Sequence, residues 1–295
     1  MQVFAIAMVV MAGIMWAGCG LAAQDFFSKS QLDSMDLTVF RMFCASGIMM
    51  LVAACKGKVR PGWEMLRKQP IFLLELSFYG IIGLMAMHYT YFASIAAGNA
   101  AAATVIQYTC PAMVILWMAF SKKTWPTLGE FVAVILAIAG VYLLVTGGDM
   151  SRLAVPLDCI YLGLASAVFF AICAVYPKHL MVYFDNSFML SIGMFTGAVA
   201  AFCIDPISHM SGFWEPSVLF DVFWIVVCGT AVAFTCYNAG LKYLSEAQAS
   251  VTATIEPAVS VIASYFLFQT HFDIVQAIGI VLVLLAIMAP GFLKK

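Results

Sequence analysis

From the N-terminus onward the chain alternates long apolar stretches with short polar ones. A bilayer core of about 30 Å takes ~20 apolar residues per helix. By that rule the pattern predicts ten spans, roughly 3–23, 36–55, 70–93, 98–120, 127–146, 157–178, 187–205, 218–240, 246–268 and 273–293. The connections are mostly short and carry turn formers or charge, as in "KGKVRPG", "SKKTWPT" and "TGGDMS". Lipid gives backbone N–H and C=O groups no water to bond, so helices are expected throughout. Only Met1 and Gln2 precede the first stretch, which lacks a basic leader and reads as a retained first helix.

Lysine and arginine orient the spans. With the N-terminus inside, the cytoplasmic side receives Lys56, Lys58, Arg60, Arg67, Lys68, Lys122, Lys123, Lys178, Lys242, Lys294 and Lys295. The outer side receives Lys29 and Arg152, and Arg41 lies within the second span near its outer end. The alternation supports the span count, because a missed helix would scramble it. Both termini are expected in the cytoplasm, with the chain multi-pass in a plasma (bacterial inner) membrane.

Composition agrees. Of 295 residues, 64% are hydrophobic and 10% charged, against about 45–50% and about 25% in a soluble domain. A soluble fold of this size is excluded. A formal net charge of −1 without a basic stripe gives no reason to expect nucleic acid as a partner. The nine cysteines are scattered singly, with no CxxC, and read as small buried hydrophobes and not as disulfides or metal ligands. No metal and no cofactor is expected.

The second half repeats the first at an offset of 146 residues. Gly83 meets Gly229, Tyr91 meets Tyr237, Ala93 meets Ala239 and Pro111 meets Pro257, with no gap across spans 4 and 9. Five helices per half is an odd number, so the second half must lie upside down relative to the first. The expected fold is therefore an all-α polytopic membrane protein of ten transmembrane helices, built as two inverted-topology five-helix repeats, residues 1–148 and 149–295. Such repeats are a signature of secondary transporters, whose sites tend to lie near the midplane between the repeats.

With "AAAATVIQYTCPAMVIL" in span 4 and "EAQASVTATIEPAVSVIASYF" in span 9, the whole chain resembles a ten-helix member of the drug/metabolite transporter superfamily, EamA type. The resemblance implies an exporter or facilitator of amino acids or related compounds. It departs at one motif. The Gly–Glu pair usual just after spans 4 and 9 is replaced by "FSKKTWPT" and "FQTHFD", so no role for that acid carries over.

Glu256 stands directly before Pro257 in the middle of span 9. A mid-helix proline frees the carbonyl four residues back, here Ala253, and Pro111 does the same for Gln107. An acid at that depth costs about 2.5–3.5 kcal/mol on insertion scales and should face the bundle interior. It reads either as a binding group for a proton or a cationic substrate moiety, or as a side chain bonded to a neighbouring helix that never titrates. Its repeat equivalent is Cys110, so the acid occurs once.

Candidates for the same site are Trp16, Gln107, Tyr108, Pro111, Tyr237, Asn238, Thr252 and Pro257, with Thr109, Thr254, Tyr91 and Tyr176 nearby in the pattern. Arg41 reads either as snorkelling to the outer surface or as a partner for a substrate carboxylate. His88 reads as an interfacial histidine or as a proton site, Tyr91 and Tyr176 as interfacial anchors, and Glu75 as structural. Small residues on span 5 (Ala133, Ala137, Gly140) and span 10 (Gly279, Ala286) permit close packing, either within the chain or across a homodimer.

The leading function is a secondary transporter of small molecules across the lipid bilayer by alternating access, with proton coupling resting on Glu256. The absence of a Walker A pattern leaves ATP without a site in this chain. A channel or facilitator is the alternative. A membrane-embedded enzyme ranks lowest, because neither HExxH nor GxSxG occurs and His88 is the one histidine well inside a span.

Overall fold

A computed structural model describes residues 2–122, 125–149, 153–207, 210–241, 243–244, 249 and 252–292, except for the side chains of 121, 122, 238, 241 and 290–292. The described residues form helices and turns, with no strand among them. Among the described residues eight helices are long and apolar enough to cross a membrane: α1 Gln2–Lys29, α2 Ser34–Cys55, α3 Ile71–Ala97, α4 Ala100–Phe120, α5 Leu128–Thr146, α6 Leu157–Val182, α7 Asn186–Ile204 and α8 Leu219–Tyr237. Two further apolar helices follow, α9 Ile255–Phe268 and α10 Ile274–Phe292. The first residues of the expected ninth span (246–248, 250 and 251) lie outside the described residues, as do Lys123, Arg152, Lys242, Lys294 and Lys295.

Local sequence sets the helix ends. Asp33 caps α2 in a reciprocal box with Asp36, and Thr127 with Glu130 does the same for α5. Each box satisfies N–H groups that the first turn leaves open. Gly147, at φ 57°, ends α5 in the left-handed conformation that glycine adopts without strain.

α5 packs on α10, α2 on α7, α3 on α6 and α1 on α8, while α4 lies against α6 and α9, and α9 also against α1. Between α5 and α10 the small residues face each other within the chain. A Cβ on Gly140 would come 2.7 Å from the carbonyl oxygen of Gly279, and one on Gly279 2.6 Å from that of Gly140. Ala133, Ala137 and Ala286 are buried in the same seam. Outward, large apolar side chains such as Leu51, Leu74, Trp117, Phe120, Ile138 and Phe266 are exposed, which suits a surface solvated by acyl chains.

Five of the helices are irregular, α6 because it ends in 3₁₀ turns at Tyr176–Lys178 and Leu180–Val182. α3 contains a π-helical stretch at Tyr79–Met85 and α8 another at Trp224–Val232. α4 breaks after Gln107 and resumes at Cys110, one residue before Pro111. A turn at Thr254 precedes α9, two residues before Glu256. Both proline-linked breaks fall where the missing proline N–H interrupts the i→i−4 ladder.

Candidate functional site

The break before α9 meets the break in α4. The hydroxyl of Tyr108 lies 2.7 Å from Glu256 Oε2 and 3.3 Å from the carbonyl oxygen of Ala253. Ala253 is the residue whose carbonyl Pro257 leaves without its helical partner, so the tyrosine completes what the proline interrupts. One carboxylate oxygen of Glu256, Oε1, stays outside this bond. In α4, Thr109 turns its own hydroxyl back to the Ile106 carbonyl at 2.7 Å. α1 runs directly over the α9 break at Gly13, where a Cβ would collide with the Ile255 side chain and come 3.5 Å from the Glu256 backbone nitrogen.

Gln107 donates to Ser166 Oγ of α6 at 2.5 Å, and Ser166 in turn reaches the Met87 carbonyl of α3 at 3.3 Å. An amide at this depth needs partners, because burial without them is costly. Tyr91, expected as an interfacial anchor, is instead buried and pairs with Thr104 at 2.8 Å. Tyr176 does lie near a helix end, between Phe78 and His179.

Arg41 does not snorkel. Its side chain turns inward and is 5% exposed. Nε donates to Thr230 Oγ1 at 3.3 Å, Nη2 to the Gly229 carbonyl at 3.5 Å, and the guanidinium lies 5.3 Å from the Phe92 ring centroid. The physical reason is the π-helical stretch of α8, whose altered ladder offers a polar spot to the arginine. A desolvated guanidinium also gains from the aromatic face. Arg41 lies within electrostatic reach of Glu256. His88 is buried too, with Nδ1 2.7 Å from the Leu84 carbonyl, so it belongs to the interior and not to the interface.

Trp16 is half-buried and packs on Phe234 and Tyr237 of α8, ring centroids 5.6 and 5.3 Å apart. Thr252 and Thr254 stand at the start of the α9 break, with Pro257 buried and Pro111 half-buried. The side chain of Asn238 lies outside the described residues. The fold thus gathers Glu256, Tyr108 and Pro257 in one place, with Arg41 within electrostatic reach of Glu256. Sequence reading missed Ser166, Thr230 and Phe92. A small hydroxyl within an apolar span was the available signal for the first two. Glu256, Arg41, Gln107 and Tyr108 are each less than a tenth exposed, so the site is enclosed.

An all-helical, multi-pass membrane protein with an enclosed acidic and basic site has the architecture of a membrane transporter. The family comparison agrees: the EamA-like transporter family matches residues 3–146 and 158–289, and the chain belongs to that family. It is 26% identical over 282 residues to the uncharacterized inner membrane transporter YicL of Salmonella typhimurium, covering 95% of this chain and 92% of that one. A crystal structure 16% identical superposes with a TM-score of 0.66 over 98% of this chain and 96% of its own, a likeness of fold alone. Family and relative both point to transport and not to catalysis.

Proposed function

We propose that the chain is a secondary transporter that exports small metabolites, amino acids or related compounds, across the bacterial inner membrane by alternating access. Ten spans cross the bilayer as two inverted halves, 1–148 and 149–295, with both termini in the cytoplasm. The offset of 146 residues that relates Pro111 to Pro257 also relates Tyr79–Met85 to 225–231, within the second π-helical stretch. That coincidence of backbone irregularities supports the repeat, because nothing in helix propensity alone would set it.

The observation that carries the proposal is the Glu256–Tyr108–Ala253 cluster at the two helix breaks. Enclosed between the halves, it offers a carboxylate and a backbone carbonyl released from its helix and met by the Tyr108 hydroxyl, and Arg41 contributes a guanidinium within electrostatic reach. A zwitterion has a charge for each. Glu256 binds the ammonium or the coupling proton, and Gln107, Trp16, Tyr237, Asn238 and Thr252 line the path.

The test is counterflow in proteoliposomes preloaded with an unlabelled amino-acid mixture, following uptake of each labelled member. Saturable, trans-stimulated uptake of at least one amino acid supports the reading. Flux that rises linearly with concentration and is not trans-stimulated would make the protein a channel. No uptake of any amino acid would sink the substrate class and direct the panel to nucleobases and cationic drugs.

A further inference from the structure

Among the described residues Lys56–Asp185, 3.9 Å apart, joins the end of α2 to the start of α7, and two further ion pairs tie helix ends together outside the site. At one end of the bundle Lys29 closes α1. It is held by Asp25 one turn back on its own helix, and its Nζ lies 3.6 Å from Oδ2 of Asp221 in the first turn of α8. His179, in the last turns of α6, places Nε2 2.8 Å from Oε2 of Glu75 near the start of α3. Its other ring nitrogen faces the Tyr176 carbonyl at 2.7 Å.

The acids are repeat equivalents, since 221 − 75 = 146, the offset that superposes Pro111 on Pro257. Each stands just ahead of a π-helical stretch, Tyr79–Met85 or Trp224–Val232. Each takes its base from the end of the first helix of the other half. The same contact is therefore built twice. In a chain whose successive spans alternate in direction, α1 ends and α8 begins on one face, while α3 begins and α6 ends on the other. Glu256 and Arg41 are both buried, 8% and 5% exposed.

We propose that Lys29–Asp221 and His179–Glu75 are the two clasps of the transport cycle, one on each face, which open alternately to admit solute to the Glu256 site. The proposal rests on the reading of the chain as two inverted halves. The partly exposed His179–Glu75 pair is of the weak kind that can break and re-form within a cycle. With both closed, the structure is the occluded form. The two are not equivalent: the Asp221 side chain is 3% exposed, whereas Glu75 and His179 are 30% and 49% exposed. Removing Lys29 leaves a buried carboxylate unneutralised, so the Lys29 clasp should be the harder to disturb without loss of fold.

Cys19 reports which face is open. It is buried beside the site, where a Cβ on Gly229 would lie 2.9 Å from its Sγ. The full-length chain with Cys19 as its sole cysteine is labelled with a membrane-impermeant maleimide, in intact cells for the outer face and in inside-out vesicles for the inner. Asp221→Asn should raise outer labelling about threefold or more without raising inner labelling, and Glu75→Gln should do the reverse. The charge-exchanged pairs, Lys29→Asp with Asp221→Lys and Glu75→His with His179→Glu, should return both rates to the parent values. That recovery also demonstrates an intact fold. Unchanged rates in both single variants, or a rise on both faces in each, would reduce the pairs to structural braces and overturn the clasp alone. If the two single variants open the same face, the inverted arrangement itself is wrong.

Discussion

The irregular turns of the two halves are held in different ways. In the first half, the π-helical stretch of α3 is fixed by backbone contact. A Cβ on Gly80 would run into the Gly193 carbonyl and the Thr196 hydroxyl, and one on Gly197 would meet the Gly80 carbonyl. In the second half, the corresponding stretch of α8 is tethered by a guanidinium, through Arg41 to Gly229 and Thr230. The breaks before the prolines differ in the same sense. Cys110 at the α4 break brings a thiol, whereas Glu256 at the α9 break brings a carboxylate held by Tyr108. One backbone device thus serves twice. Both copies are packed, but at the π-helical stretch only the second adds an arginine tether, and at the proline break only the second adds a carboxylate, polar bonds that a charged solute could exchange for its own.

The contrast can be broken at its rigid side first. Gly80→Leu should abolish folded protein or cost about 3 kcal/mol or more, read as a collapse of the monodisperse peak and of thermal stability in detergent. Gly47, with open space around its Cα, should accept alanine without measurable loss. At the polar side, Arg41→Met should leave the fold intact while costing about 1.5–3 kcal/mol in the thermal melt and lowering saturable flux at least tenfold. A variant that melts like the parent and transports normally would show that the arginine tether is dispensable. Tyr108→Phe is gentler, removing one hydroxyl from Glu256 and Ala253. It should cost about 1 kcal/mol in stability and raise the half-saturating concentration more than it lowers the maximal rate.

Much of this was legible in the chain. The apolar runs marked the eight long helices to within a few residues at most ends. α1 and α6 run several residues past their expected ends because Gln24, Asp25 and Lys29, and likewise Lys178 and His179, lie where a helix clears the core and polarity no longer signals a stop. Both proline breaks and the freed Ala253 carbonyl followed from covalent chemistry, which no environment alters. Arg41 did not, because hydropathy gives a residue's depth and not the side to which it turns. The π-helical stretches were equally hidden: in a segment apolar on all faces, a change of period leaves no mark. The bonds from Tyr108 to Glu256 and from Gln107 to Ser166 join residues 148 and 59 positions apart, and without covariation such pairings are invisible.

Most of the proposed function hangs on proton coupling at the second half's polar break. It is tested by flux of each member of an amino-acid panel from proteoliposomes with and without an imposed pH gradient, for the parent and for Glu256→Gln. Gradient-driven, saturable flux is expected in the parent and gradient-insensitive flux in the variant, with exchange at equal pH retained at least in part. Equal flux in both proteins, indifferent to pH, would contradict it and leave Glu256 as a bonded side chain of a facilitator.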